Sequence, residues 1–201
     1  MLKDLVQAFL RRFGVKLSRI AVNEAPLVPF NVFEHVLFKE IHAAGEMFRF
    51  IQIGANDGVM SDNLAPLIRK YSITGCLVEP MPDVFLELVS NYSDQPQLLF
   101  KNYLISSNDV GEKIYRFKRD APVPQEFYHG LARQDSEYII KRAAAAGLPN
   151  HIEEIVCSAK TFAELYSELG WKSLNLLYVD TKGAMIGSST RPWKLRFFRR
   201  L

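Results

Sequence analysis

Phe50-Ile51-Gln52-Ile53-Gly54-Ala55-Asn56-Asp57-Gly58 reads as an apolar strand breaking into a glycine turn, and Gly75-Cys76-Leu77-Val78-Glu79-Pro80 as the next strand, ending on an acid. A strand that breaks on glycines lets backbone N–H groups approach a ligand closely. A carboxylate leaving the neighbouring strand is placed to accept hydrogen bonds from ribose hydroxyls. Together the two stretches point to an α/β fold with a nucleoside-binding crevice at the carboxyl ends of parallel strands.

The glycine spacing narrows the ligand. A dinucleotide fingerprint, G-x-G-x-x-G, brings the backbone onto a pyrophosphate, but here Asn56 stands where its second glycine would be and the next glycine is Gly58. This G-x-N-x-G pattern offers a pyrophosphate no tight glycine pair. S-adenosylmethionine, with ribose and adenine but no phosphate, asks only for a turn beside its amino-acid and sulfonium portion. Glycine, asparagine and aspartate also favour turns for local reasons, so it is the register with Glu79 that gives this turn a functional reading.

Composition agrees with a folded enzyme-sized domain. Apolar residues make up 48% and charged residues 23% of 201 residues, globular proportions for a chain long enough to bury a substantial core. The two cysteines, Cys76 and Cys157, have no metal-ligand or redox spacing, and read as small core residues of a reduced, cytoplasmic protein. No His/Cys/Asp cluster has zinc spacing either. The net charge of +3 hides an asymmetry: from Ala184 to Leu201 there are five basic residues and no acid, which leaves the remainder at −2. The body therefore lacks the basic footprint of a nucleic-acid binder.

No stretch approaches the roughly eighteen apolar residues of a membrane span. At the N-terminus Leu2, Leu5, Val6, Phe9, Leu10 and Phe13 recur at helical spacing among Lys3, Arg11, Arg12 and Lys16. Such a basic amphipathic helix either makes peripheral contact with an anionic membrane surface or, more commonly, packs on the domain with a solvated face.

Along the chain, helices are predicted at about Val32 to Ala44, from Ser61 or Asp62 to about Tyr71, and from Pro82 to about Tyr92. Strands are predicted at Phe48 to Ile53, Gly75 to Glu79 and Leu98 to Ile105. This alternation argues for a parallel sheet. Lys113 to Phe117 alternates as a further strand, and residues about Ala121 to Gln134, with His129, form a loop. A helix over about Asp135 to Ala146 and a short strand at Glu154 to Cys157 come next. Thr161 with Glu164 makes a capping box for a helix stopping at Gly170. Leu174 to Val179 is an apolar strand ending at Asp180, so Gly54, Glu79 and Asp180 all fall at strand carboxyl ends.

Taken in order, FIQIGANDG, GCLVEP with Pro82 and Phe85, Asn91-Tyr92, TFAEL and LNLLYVDTKG resemble the FkbM-type methyltransferase family over about Arg49 to Gly183. The resemblance implies a class I methyltransferase, a three-layer Rossmann-like parallel sheet. It also implies methyl transfer from S-adenosylmethionine to a hydroxyl of a sugar, glycan or other small molecule. By matching position, Gly54, Asn56 and Gly58 would line the cofactor turn, Glu79 would hold the ribose, and Asp180 would face the transferring methyl or the acceptor. Removing the acceptor's proton needs a base; Asp180 is the first candidate and His129 the second. The bland readings are that Asp180 caps a turn and that His129 is a surface loop residue.

The family reads D-T-E-G-x-D where this chain reads Asp180-Thr181-Lys182-Gly183-Ala184-Met185. Lys182 reverses a charge and Met185 deletes one. The organisation is thus expected to be a helical segment over 1–45, a Rossmann-like domain over 46–183 truncated after its fourth strand, and an aberrant basic tail over 184–201. On that reading the chain is a methyltransferase, or alternatively a truncated cofactor-binding remnant or interaction module without catalysis. The tail is expected to be a frameshifted reading of a longer gene. In the frame beginning at the third base of each codon, Met185-Ile186 necessarily yields GAT, an aspartate, at the position of the family's second acid. Sequencing the gene checks this: the alternative frame should run on through strand and helix patterns, and a stop soon after that aspartate would refute it.

Overall fold

The computed structural model describes residues 31–60, 62–107, 111–123, 131–181 and the backbone of 194–197. The N-terminal amphipathic stretch, Ser61, the middle of the predicted loop (124–130, with His129) and residues 182–193 lie outside the described residues. By its internal contacts the chain divides into two units, Met1–Phe33 and Glu34–Leu201, and the sheet and its helices belong to the second.

Strands β1 (Phe50–Ile53), β2 (Gly75–Val78) and β3 (Leu98–Lys101) pair in parallel with one another and with β8 (Leu176–Val179), in the order β3-β2-β1-β8. Phe50 is opposite both Gly75 and Leu176, which brings the carboxyl ends of the central strands level. The protein is therefore mixed α/β with the four expected strands parallel and adjacent, an arrangement compatible with a Rossmann-like fold. Both central strands are buried along their whole length, as a sheet covered on two faces requires. On one face Ile51, Ile53, Val78 and Val179 pack with Leu165 of α5 (Phe162–Leu169). On the other, Gln52 is tied to Asp62 at the start of α2 (Ala65–Tyr71), and Phe100 of β3 lies 6.5 Å from the Tyr92 ring that ends α3 (Pro82–Asn91).

The helix signals act as read except in α2, which starts at Ala65 with Leu64 at its N-cap rather than at Ser61 or Asp62. Thr161 and Glu164 form the reciprocal capping box of α5, which stops at Gly170 in the left-handed region. Pro82 opens α3, where its missing N–H is no loss. Asp62 accepts the Leu64 and Ala65 N–H groups at 2.8 and 3.3 Å before α2. Glu34 of α1 (Val32–Ala44) accepts from Lys70 and Tyr71 of α2. Among the described residues no helix is long and apolar enough to cross a membrane.

Three features depart from expectation. The predicted strand from Leu98 to Ile105 is broken after Lys101, because Asn102 turns its side chain onto the Glu79 and Pro80 carbonyls. Beyond the break, β4 (Leu104–Ile105) pairs in parallel with β7 (Ala159–Lys160). Between them β5 (Glu112–Phe117) and β6 (Ile152–Cys157) form an antiparallel pair, with Ile139 and Ala143 of α4 (Ser136–Ala145) packed near Phe117 and Leu131. Finally, the tail supplies a strand where none was expected: β9 (Lys194–Phe197) runs antiparallel along β8.

Gly58 sits at φ 72° in the turn after β1, and a Cβ there would overlap the Tyr92 ring. Gly147 has the same φ, with nothing near the position its Cβ would take. Gly147→Ala should therefore cost only the left-handed backbone penalty, about 1–2 kcal/mol. Gly58→Ala should add a steric cost of about 1–3 kcal/mol. Urea unfolding of the two variants checks the ordering, and equal losses would refute the packing argument.

Candidate functional site

The turn after β1 is built by backbone hydrogen bonds that gather three strand ends. Gly54 and Ala55 donate to the Val78 carbonyl at 2.9 and 3.0 Å, and Asp180 donates to the Ile53 carbonyl at 2.9 Å. Gly54 has φ 77°, and a Cβ on it would overlap the Asp180 carbonyl oxygen. Glycine is needed here because β8 ends against the turn, a reason separate from any ligand. Asn56 then takes the left-handed region, φ 51°, which asparagine tolerates better than most residues.

Asn56 turns its N–H onto Glu79. The Glu79 carboxylate accepts from Asn56 N–H at Oε2 (2.9 Å) and from Met81 N–H at Oε1 (3.1 Å), so each oxygen keeps a lone pair for a further donor. The side chain is buried, and burial pushes its pKa up from 4.5 to about 7 against the opposing pull of the two N–H donors. Asp57 behaves differently. Its carboxylate accepts from Val59 and Met60 N–H within its own turn, and its carbonyl is held by the Asn91 side chain at 2.9 Å. The Asn91-Tyr92 pair thus anchors the turn from α3, Asn91 by a hydrogen bond and Tyr92 by filling the space beside Gly58.

These groups open onto a cavity of about 160 Å³. Its lining falls into two sets. The strand-end set includes Gly54, Asn56, Glu79 and Asp180; the other comes from residues 103–134, among them Ile105, Ile114 and Arg133. Four of the sequence-predicted residues are therefore brought together. Gly58 does not line the cavity and is buried against Tyr92, while His129 lies outside the described residues.

Two parts of the site carry no role in the sequence reading. Gln52, buried mid-strand, donates from Nε2 to Asp62 Oδ2 at 2.9 Å while its Oε1 has no partner; burial raises the Asp62 pKa. The signal was an amide in an otherwise apolar strand. Arg133 had no such signal, since it lies in irregular chain between β5 and α4. The cysteines are inert: burial lifts the Cys76 thiol to about 12 and the Cys157 thiol to about 11.

A buried carboxylate with room for two more donors, beside an orphaned amide oxygen, suits a ligand that presents a diol and a cationic amine. No family model matches the chain, nor does any curated protein or solved structure.

Because Glu79 binds its proton more tightly folded than unfolded, the native state holds more protons between about pH 4.5 and 7. Stability from this group should therefore fall as pH rises through that window, by at most about 3 kcal/mol. Urea unfolding from pH 5 to 8 should show a flatter slope for Glu79→Gln than for the wild-type chain; parallel slopes would refute the assignment.

Proposed function

We propose that this chain binds S-adenosylmethionine and is a methyltransferase acting on a hydroxyl of a sugar or other small molecule. The observation that carries the reading is Glu79, a buried strand-end carboxylate held by N–H groups from the two loops that flank the cavity. Its remaining lone pairs suit the two ribose hydroxyls, which would also stabilise its charged form. Gly54 and Asn56 line the wall beside it. Gln52 Oε1 and the Asp62 carboxylate suit the ammonium group. Bound there, S-adenosylmethionine supplies an electrophilic methyl group, whose transfer to oxygen leaves a neutral thioether.

The residues of the chain have three tasks in such a reaction. Glu79, Gln52 and Asp62 hold the donor in one orientation, which removes much of the entropic barrier to an in-line displacement. The apolar wall from Leu104, Ile105 and Ile114 excludes water from the methyl group. Asp180 takes the proton lost by the acceptor hydroxyl as the new carbon–oxygen bond forms, and later releases it to solvent. The competing reading, a binding module without catalysis, is favoured by Met185 standing where the resembled family carries its second acid.

Titration calorimetry with S-adenosylhomocysteine tests the core of this. Binding is expected, weakening by roughly ten- to a hundredfold in Glu79→Ala, as the loss of a charged acceptor implies. Affinity should also fall below about pH 7, where Glu79 is protonated. Absence of binding, or equal affinity in wild type and variant, refutes the proposal. Asp180→Asn should bind normally and lose turnover if Asp180 is the base.

A further inference from the structure

Arg133 is the cavity residue that the methyl-transfer reading leaves without a task. Its main chain is fixed on β5 by a two-way exchange with Tyr115, Arg133 N–H to the Tyr115 carbonyl at 2.9 Å and Tyr115 N–H back at 2.7 Å. Its guanidinium lies over the Tyr138 ring, 3.9 Å from the centroid, a contact that sets the plane of the group. Nε is buried and has no hydrogen-bond partner, and among the described residues no carboxylate stands within ion-pair distance. The neighbouring arginines differ. Arg116 is spent on Asp83 and Glu153, and Arg119 on Asp83 and Glu87.

A guanidinium stays charged at any working pH and presents a rigid fork of donors that matches carboxylate or phosphate. The Arg133 side chain is half-buried, with Nε its one buried unpartnered atom, so a guanidinium without an acidic partner stands at the cavity wall available to an anionic ligand. Arg133 sits in the wall lined by residues 103–105, 114 and 132–134, whereas the groups suited to the nucleoside cofactor come from the strand ends. We propose that Arg133 is the anion-recognition residue of the cavity, and that the acceptor carries a carboxylate or phosphate beside the hydroxyl to be methylated. The acceptor half of this rests on the methyltransferase reading.

The side-chain Nε–H resonance of Arg133, assigned in the ¹⁵N-labelled full chain by its loss in Arg133→Lys, reads the site directly. With S-adenosylhomocysteine bound, inorganic phosphate should shift that resonance saturably. Arg133→Gln should weaken phosphate binding by about tenfold or more, with Arg133→Lys losing less. A resonance that phosphate does not move overturns the proposal. So does a resonance moved by S-adenosylhomocysteine alone but not by 5′-methylthioadenosine, which lacks the carboxylate, since Arg133 would then serve the cofactor. Failure of the methyltransferase reading looks different, because S-adenosylhomocysteine itself would not bind while phosphate still reported on Arg133. Should Arg133→Gln not fold, the shift in the unmodified chain decides.

Discussion

A parallel sheet covered on both faces has no wet surface along its strands, and the site is a consequence of that constraint. β1 and β2 are buried at every position, so polar chemistry on these strands is tolerated only where a partner is built in. Gln52 is the exception, and its amide is met by Asp62 from the start of α2. Everywhere else the polar groups are pushed to the carboxyl ends, where Gly54, Glu79 and Asp180 meet. The ends are held level by the Gly54, Ala55 and Asp180 N–H bonds to neighbouring strands. Sheet register thus sets the geometry of the crevice before any ligand arrives.

The second wall is attached by charge. Arg116, on β5, pairs with Asp83 in the first turn of α3 at 2.7 Å and with Glu153 on β6 at the same distance, while Arg119 adds Asp83 and Glu87. Burial would raise the Asp83 pKa, but the two guanidinium groups outweigh it and hold the carboxyl near 2. Pairs this exposed on the carboxylate side contribute modestly one by one. As a network they fix where β5 lies relative to α3, and so where Ile114 and Arg133 stand relative to Glu79. Asn102 does the same from the other side by bridging the Glu79 and Pro80 carbonyls.

Much of this was legible in the sequence because its causes are local. The apolar runs, Pro82, the Thr161–Glu164 box and Gly170 each act within one turn or strand, and α3, α5 and the two central strands form where they were read. Glu79 and Asp180 were legible as strand ends. What was not legible depends on distant partners. Nothing near Lys101 says that Asn102 will leave the sheet for the Glu79 and Pro80 carbonyls, nor does Arg116 show that its acids lie on α3 and β6. The tail strand was missed for another reason: Lys194-Leu195-Arg196-Phe197 does alternate, but over too few residues to stand out from its basic surroundings. Gly58 was legible as a turn residue, yet its role is to admit Tyr92, a contact only the fold creates.

The charge balance of the cavity bears on the ligand independently of the backbone. Among its described lining residues, Asp62, Glu79 and Asp180 are acids and Arg133 is the cation. Burial raises the pKa of both Asp62 and Glu79, so a cationic ligand would favour their charged forms. A cationic group would find acids along the strand ends, whereas a pyrophosphate would face them with one guanidinium to offset them. Glycine spacing alone disfavours the pyrophosphate too, because the turn after β1 lacks the tight glycine pair. The acids at the strand ends and the missing glycine pair thus both count against a pyrophosphate on the Glu79 side of the cavity, and the side that carries Arg133 is the one suited to an anion.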